Sequence, residues 1–345
     1  MKAVILAGGS GTRLWPLSTK DCPKQFHKIA SNKTMIEDTI DRIDFLKKSD
    51  IYLSINKNHL KLVKKLCPGI PSKNIIIEPA MRDTASGIGL AAAIIAKRYP
   101  KEVMAVIYAD HVISNKKEFQ KSLKIAEKLA LKEDTLNIIE VPATEPNTNY
   151  GYVKLGKLNK KIDNTEIYNL DCFVEKPDLK KAKEFLKSGK YLWNTGLYVW
   201  KAATLLENYK KFLPDTYKKL EKMMTKYDTK DQNKTLNSLY PTLEKISIDY
   251  AIMEKVPPTK IRIIKTKNLG WSDVGTWETV WKFVAKKAEK NKSQLDCKNT
   301  IIYSENNKKI IAISLENIIV IDTKDGLLVC KKEDAKRIKE LQSKL

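Results

Sequence analysis

Histidine, arginine and paired cysteine are all scarce in this chain. Its 345 residues hold three histidines, His27, His59 and His111, and six arginines. So little imidazole argues against a structural zinc site. The five cysteines, Cys22, Cys67, Cys172, Cys297 and Cys330, are odd in number, scattered and never spaced Cys-x-x-Cys. That pattern indicates neither a disulfide framework nor a zinc knuckle. No apolar run approaches the roughly 20 residues of a membrane span, and the five apolar residues between Lys2 and Gly8 fall short of a signal-peptide core of roughly 7–15. These absences point to a soluble globular chain with no membrane partner and with the cytoplasm as its default location. At 42% hydrophobic content the chain is long enough for a large α/β domain and a smaller second one.

Charge is plentiful but one-sided. Against 41 acidic residues stand 64 basic ones, a formal net charge of +23. With only six arginines the excess is lysine, spread along helix faces without aromatic interleaving or a recognisable binding motif. A solvated lysine-rich surface accounts for it, so no nucleic-acid partner is expected. The field still attracts phosphorylated ligands in general.

Apolar strands at 2–6, 51–55, 74–77, 103–108 and 136–141 alternate with helical patterns at 34–48, 58–66, 84–98 and 115–131. This is the signature of a Rossmann-like α/β fold, a mixed, mostly parallel sheet with helices on both faces. Thr84 is the expected cap of helix 84–98, whose Ile88, Ala91, Ala92 and Ile95 share one stripe, and the Gly-Ile-Gly-Leu beginning at Gly87 lets that helix pack closely. From Tyr150 the pattern turns to strands, 152–155 and 166–170, then to helices at 178–188 and 201–224 with a polar stretch from Asp228 to Lys234. After a helix near 276–290, short strands at 300–303, 310–313, 318–321 and 327–329 precede a terminal helix from Glu333. The expected division is a catalytic domain over 1–290 and a small β-rich domain over 291–345. No internal repeat is evident in the latter.

The run Ala7-Gly8-Gly9-Ser10-Gly11-Thr12-Arg13-Leu14, entered straight from a strand, exposes backbone N–H groups and ends on a cation. It reads as a phosphate cradle, because glycine admits positive φ and lets a polyanion approach successive amides. A Walker loop would need Gly-Lys-Ser/Thr, and a dinucleotide fingerprint a third small residue where Leu14 stands. Neither pattern fits.

The extended stretch through Trp15-Pro16-Leu17-Ser18 and Pro23-Lys24-Gln25-Phe26 resembles the signature of the sugar-phosphate nucleotidyltransferases, most closely the mannose-1-phosphate guanylyltransferases. The resemblance continues through Glu78-Pro79-Ala80-Met81-Arg82-Asp83-Thr84-Ala85, Ala109-Asp110-His111, Tyr150-Gly151-Tyr152 and Phe173-Val174-Glu175-Lys176-Pro177. It extends to Trp193-Asn194-Thr195-Gly196, Ser247-Ile248-Asp249-Tyr250-Ala251-Ile252-Met253-Glu254-Lys255 and Gly270-Trp271-Ser272-Asp273-Val274-Gly275-Thr276-Trp277. It implies a Mg²⁺-dependent transfer of GMP from GTP to a sugar 1-phosphate, with release of pyrophosphate. It also implies that the C-terminal segment is part of a left-handed β-helix, which often makes oligomer contacts and so suggests a homodimer. A fused isomerase module follows in some relatives; with the chain ending at Leu345, a monofunctional enzyme is expected.

Asp110 ends a buried strand and Asp273 lies in a tryptophan-flanked turn. Two carboxylates without histidine or thiolate partners suit a hard cation, and the resemblance implies that both bind Mg²⁺ and that Asp273 can also meet a sugar hydroxyl. Arg13 and Lys24 would wrap the triphosphate as catalytic cations, and Lys176 would meet the sugar phosphate. Leu6, Ala7, Gly8, Gly9, Gly11, Thr12, Asp83 and Thr84 are the remaining implied nucleotide contacts. Glu78 would read guanine, because a carboxylate accepts the adjacent N1–H and N2–H₂ while uracil and thymine would repel it. Gly151, Glu175 and Asn194 would face the sugar ring. Each has a plainer reading: a helix or turn cap for Asp110, a turn-capping acid for Asp273, surface cations for Arg13 and Lys24, an edge glutamate before Pro79 for Glu78 and a solvent-facing one for Glu175. Arg82-Asp83-Thr84-Ala85-Ser86 and Tyr108 depart from the family pattern and leave the base and ribose contacts open. The same reaction on another hexose or heptose 1-phosphate, and a catalytically silent regulatory homologue, are the rival readings.

Overall fold

The computed structural model describes residues 1–9, 11–288, 292–305 and 308–341, so Ser10 and the expected domain boundary at 290/291 lie outside the described residues. Strands β1 (Lys2–Leu6), β2 (Ile51–Asn56), β3 (Ile75–Glu78) and β4 (Val103–Tyr108) are almost wholly apolar and run parallel, in the order β3-β2-β1-β4. Helices cover both faces, so each strand reads as a mostly apolar run with no polar alternation. That is why the sequence locates all four to within a residue or so.

Beyond β4 and the two-residue β5 (Val112–Ile113) the sheet becomes mixed. Its further strands are β6 (Leu136–Pro142), β7 (Tyr152–Ile162), β8 (Thr165–Val174), β9 (Tyr191–Lys201) and β10 (Ile261–Lys265), ordered β4-β9-β6-β10-β8-β7. Strand β9 is antiparallel to β4, β6 and β7. Because it pairs with β7 as well as β6, these five strands close on themselves. β7 and β8 form one long hairpin, far longer than the expected pieces at 152–155 and 166–170, turning at Asp163 and Asn164 with φ of 47° and 61°. Both left-handed residues are what a two-residue hairpin turn requires.

Helices α1 (Met35–Arg42), α2 (Leu60–Leu66) and α4 (Lys116–Glu133) cover one face; α3 (Asp83–Arg98) packs on the other against the later α6 (Ala202–Phe212) and α7 (Pro214–Lys226). The expected helix 34–48 stops at Arg42, whose carbonyl accepts from Gln120 Nε2 (2.9 Å) in place of a further turn. Its start is a capping box between Thr34 and Glu37. The helix expected over 201–224 is two helices, divided at Leu213 because Pro214 has no N–H to continue α6 and opens α7. Thr84 is not the cap of α3. The helix starts at Asp83, with Arg82 as the N-cap, and the Thr84 hydroxyl instead accepts the Ile248 N–H (2.9 Å). Nor does α3 carry a single apolar stripe, since every residue from Ala85 to Ile95 is buried between the sheet and α6/α7. Helices α5 (Leu179–Ser188), α8 (Gln232–Leu239) and the π turn Asp249–Met253 complete this half.

The chain then passes through β11 (Trp271–Ser272), paired with β5, and α9 (Trp277–Ala288). Strands β12 (Lys292–Leu295), β13 (Ile301–Ser304), β14 (Ile310–Ile313) and β15 (Ile318–Thr323) stack in parallel, Lys292 beside Ile310 and Ile301 beside Ile319, each pair eighteen residues apart. The corners repeat too. Asp296 and Ser314 have φ of 53° and 54°, Asn299 and Asn317 of 50° and 56°, and Asn299 Nδ2 donates to Asn317 Oδ1 (2.6 Å). This β-helix-like unit therefore has a repeat of conformation that the residues themselves do not spell. Strand β16 (Gly326–Lys331) and α10 (Ile338–Leu341) close it, the helix expected from Glu333 being a 3₁₀ turn until Arg337.

Gly89 of α3 permits the close packing expected of it, because a Cβ there would lie 2.9 Å from the Tyr209 ring and 2.8 Å from Leu220 Cδ1. Tyr209 cannot yield easily, since its hydroxyl donates to the Ala85 carbonyl (2.5 Å). Gly89→Ala should therefore lower the urea midpoint, the ~1–3 kcal/mol of overpacking exceeding the ~1 kcal/mol gain in helix propensity. An unchanged or higher midpoint would contradict this packing.

Candidate active site

The carboxyl ends of β1, β2, β3 and β4 open onto a cavity of about 360 Å³. This is where open α/β sheets take ligands. Leu6, Ala7, Gly8 and Gly9 line it from β1, Asn56 from β2, Glu78 from β3, Tyr108 and Asp110 from β4, and Asp83, Thr84 and Gly87 from the start of α3. At its floor the Glu78 carboxylate accepts hydrogen bonds from Ser54 Oγ (2.7 Å) and Tyr240 OH (2.6 Å). Burial raises its pKa while those two hydroxyls favour the charged form. Side chains at Gly8 or Gly87 would press on it, at 3.2 and 3.1 Å from Oε1. Asp83 holds a left-handed φ of 62° at the rim, its Oδ1 accepting the Thr84 N–H (2.7 Å).

The glycine loop is pinned from beneath. Gln25 Nε2 donates to the carbonyls of Ala7 (2.7 Å) and Gly9 (3.1 Å), turning the amides of that stretch away from Gln25. Gly11 takes φ of 59°, and a Cβ there would meet Ser18 Oγ at 2.6 Å and Lys24 Cβ at 2.9 Å. Thr12 and the exposed Arg13 follow on a 3₁₀ turn.

Lys24 does not reach outward to wrap a ligand. It is 3% exposed, and its Nζ donates to the Asp273 carbonyl (2.6 Å) and pairs with Asp110 Oδ2 (2.8 Å). A buried ammonium needs such partners, and these acceptors lie nearer than open solvent. The Asp110 carboxyl, pushed upward by burial, is drawn below the usual aspartate range by the charge and hydrogen bond of Lys24. Burial in turn lowers the His111 pKa to about 4. Trp271 Nε1 donates to its Nδ1 (3.2 Å), leaving the ring proton on Nε2, 4.0 Å from Asp110 Oδ1.

Asp273 Oδ1 accepts from Tyr150 OH (2.7 Å) and the Gly275 N–H (3.1 Å). Its other oxygen lies over Gly275, where a Cβ would collide with it. Asp110 and Asp273 thus come together around Lys24 and His111, although 163 residues separate them in sequence. Among the described residues no group of three or more histidine, cysteine, aspartate and glutamate side chains is arranged to hold a metal ion by itself. A pair of hard carboxylates with no soft donor fits a hard divalent cation that takes the rest of its shell from phosphate and water.

Tyr150 joins this centre to a second cluster. Its ring packs on Trp193 and Trp271, both at 5.1 Å, and the charge of Arg13 reaches its hydroxyl. The Gly151 carbonyl accepts the Asn194 N–H (2.8 Å), and the space of a Gly151 side chain is filled by Glu175 and Asn194. Lys176, in a left-handed conformation, pairs with Glu175. Of the residues expected at the site, Leu6, Ala7, Gly8, Gly9, Glu78, Asp83, Thr84 and Asp110 line the cavity, Gly151, Glu175, Lys176 and Asn194 form the second cluster, and Lys24 faces inward to Asp110 and Asp273. Sequence reasoning passed over Gln25, Tyr150, His111 and Asp249 inside motifs it had quoted. Tyr240 and Ser54 carried no local signal.

The family profile described as Nucleotidyl transferase matches residues 2–290, and that described as MannoseP isomerase/GMP-like beta-helix domain matches 290–345. The chain is 34% identical to a mannose-1-phosphate guanylyltransferase of Escherichia coli over 98% of its own length and 74% of that protein's. It is 35% identical to the alginate biosynthesis protein AlgA of Pseudomonas fluorescens, over 100% and 72%. A crystal structure from Thermus thermophilus described as a mannose-1-phosphate geranyltransferase superposes with a TM-score of 0.81 at 27% identity, covering 99% of this chain and 98% of that one. By these matches and by the geometry that precedes them, the chain belongs to the nucleotidyl transferase family, in its mannose-1-phosphate guanylyltransferase branch.

Proposed function

We propose that the protein transfers GMP from GTP to mannose 1-phosphate, giving GDP-mannose and pyrophosphate. The observation that carries this reading is the half-buried Glu78 carboxylate at the floor of the nucleotide pocket, held by Ser54 and Tyr240. Each of its oxygens keeps a lone pair for the guanine N1–H and N2–H₂. The names of the relatives support the sugar.

In this reading the amides of Gly8, Gly9, Gly11 and Thr12 meet the phosphates, with Leu6, Ala7, Asp83 and Thr84 around base and ribose. Arg13 offers a planar fork to charge building between the α-phosphorus and departing pyrophosphate. Asp110 and Asp273 would hold Mg²⁺, which when bound supplies charge neutralisation at the triphosphate. Lys24 keeps Asp110 ionised and in place, and adds positive charge behind it. Gly151, Glu175, Lys176 and Asn194 bind the sugar 1-phosphate, whose phosphate oxygen attacks the α-phosphorus in line as the bond to pyrophosphate breaks. That oxygen is already anionic, so no general base is needed. His111, neutral at pH 7, is suited to orient Asp110 and not to carry charge.

Residues 1–290 form the catalytic domain and 291–345 the smaller one. We place the enzyme in the cytoplasm as a homodimer. Among the described residues no helix is long and apolar enough to cross a membrane. Leu295, Ile311, Ile313, Leu327 and Val329 give the β-helix-like unit an apolar outer surface for a second copy.

Two expectations test this function. Pyrophosphate release should require GTP and mannose 1-phosphate together, and Asp110→Asn or Asp273→Asn should cut turnover by orders of magnitude; the thermal midpoint should stay nearly unchanged in Asp273→Asn and fall in Asp110→Asn, which takes the counter-charge from buried Lys24. Near-normal turnover in both variants at saturating Mg²⁺ would overturn the assignment. Glu78→Gln turns a donor toward guanine and should lower the ratio of kcat/KM for GTP over dTTP about ten- to hundredfold, from a charged hydrogen bond of roughly 1.5–3 kcal/mol. An unchanged ratio would mean that the base is chosen elsewhere.

A further inference from the structure

Asp249 belongs to no function yet described, although it stands at the centre of the sugar-side cluster. It opens the π turn Asp249–Met253, a conformation found often at functional sites. Its Oδ1 receives two hydrogen bonds, from Tyr198 OH (2.5 Å) and Asn194 Nδ2 (3.1 Å). Among the described residues no donor meets Oδ2. The Asn194 amide is committed at both ends, because its Oδ1 accepts the Gly196 N–H (3.1 Å). Tyr198 is buried, and burial together with the Asp249 charge drives its pKa well above the ordinary value, so it remains a donor. The clamp on Oδ1 is therefore fixed from two strand positions of β9.

Asp249 itself is only half-buried. Its charge bears on Glu175 and Lys176 on the sugar side, and on Tyr108, which lines the nucleotide cavity. Tyr108 in turn fills the space beside Gly196. A carboxylate so placed, near Glu175 and short of donors on one oxygen, gains from a ligand that brings a hydroxyl. Asn194, by contrast, has spent most of its capacity holding Asp249 and the turn at Gly196.

We infer that Asp249 is a specificity-determining residue for the sugar: Tyr198 and Asn194 clamp one oxygen, and the other accepts a hydrogen bond from a ring hydroxyl of the sugar 1-phosphate, alongside Glu175. Tyr198 is then a positioning residue for Asp249, and Asn194 positions it through Nδ2 while its remaining capacity stays with the sugar. A site built to accept from a hydroxyl rejects an analogue lacking it, because the acceptor, covered by the bound sugar, is left unpaired. The inference rests on the substrate reading above.

The test is steady-state kinetics of the full chain with mannose 1-phosphate and its monodeoxy analogues, for wild type, Asp249→Asn and Tyr198→Phe. The wild type should discriminate at least tenfold against one deoxy analogue. Asp249→Asn should lose that discrimination and raise KM for mannose 1-phosphate at least tenfold, with KM for GTP within twofold. Tyr198→Phe, which removes one hydroxyl and keeps the ring, should show a smaller loss confined to the sugar; it carries the test if Asp249→Asn does not fold. An Asp249→Asn enzyme with the wild-type analogue profile, or with equal losses toward GTP and sugar, overturns the inference while leaving the reaction intact. A wild type that does not turn over mannose 1-phosphate takes down the substrate reading and this inference together.

Discussion

A single buried ammonium, that of Lys24, joins the parts of the chain that must act together. It meets the carboxylate at the end of β4 and the carbonyls of Asp273 and Val274, the last at 3.4 Å, from segments as much as 250 residues apart. An ammonium at 3% exposure is tolerable only while those acceptors stay in place. Its neighbours inherit the constraint. Gly11 must be glycine because the Lys24 stem lies against it, Gln25 pins the loop carbonyls, and Val274 is held at φ of 48°. The glycine loop, the end of β4 and the Asp273 turn are in effect one rigid unit, which is the preorganisation that charge stabilisation at a reacting phosphate demands.

The C-terminal unit buttresses the same loop from outside. Leu14 and Leu17 pack with Trp277, Ile301, Ile319, Ile321 and Ile338 in one apolar cluster. Trp277 Nε1 donates to the Trp15 carbonyl (3.3 Å) and Thr323 Oγ1 to that of Pro16 (3.3 Å). Gly326 is required where the Trp15 ring comes within 2.7 Å of a would-be Cβ. The segment carrying Arg13 is therefore fixed on one side by the Lys24 tie and on the other by the β-helix-like unit.

What could be read from the sequence follows from how local each cause is. Strands β1 to β4 are legible because parallel strands buried on both faces are apolar throughout, and the glycine loop because its backbone needs are written in consecutive residues. Strand β9 escaped notice, since Asn194-Thr195-Gly196 in its middle reads as a turn. In the fold that stretch is the partner of a register shift in β6, where the buried Glu140 accepts the Thr195 N–H (2.7 Å). Tyr240 reaches Glu78 from 162 residues away, a relation that no local pattern encodes. The inward turn of Lys24 and the service of Thr84 to Ile248 are tertiary as well. The eighteen-residue repeat escaped because its corners need only left-handed backbone, which Asp, Ser and Asn supply alike.

On the proposed function, one framework tied at Lys24 sets a guanine-reading pocket and a sugar-binding cluster on either side of Asp110 and Asp273. A crystal structure of the protein with GDP-mannose and Mg²⁺ tests it most directly. The guanine edge should lie on Glu78, mannose against Glu175 and Asp249, and the metal on Asp110 and Asp273, with Lys24 unmoved. Guanine bound away from Glu78, or a metal that touches neither aspartate, would contradict it.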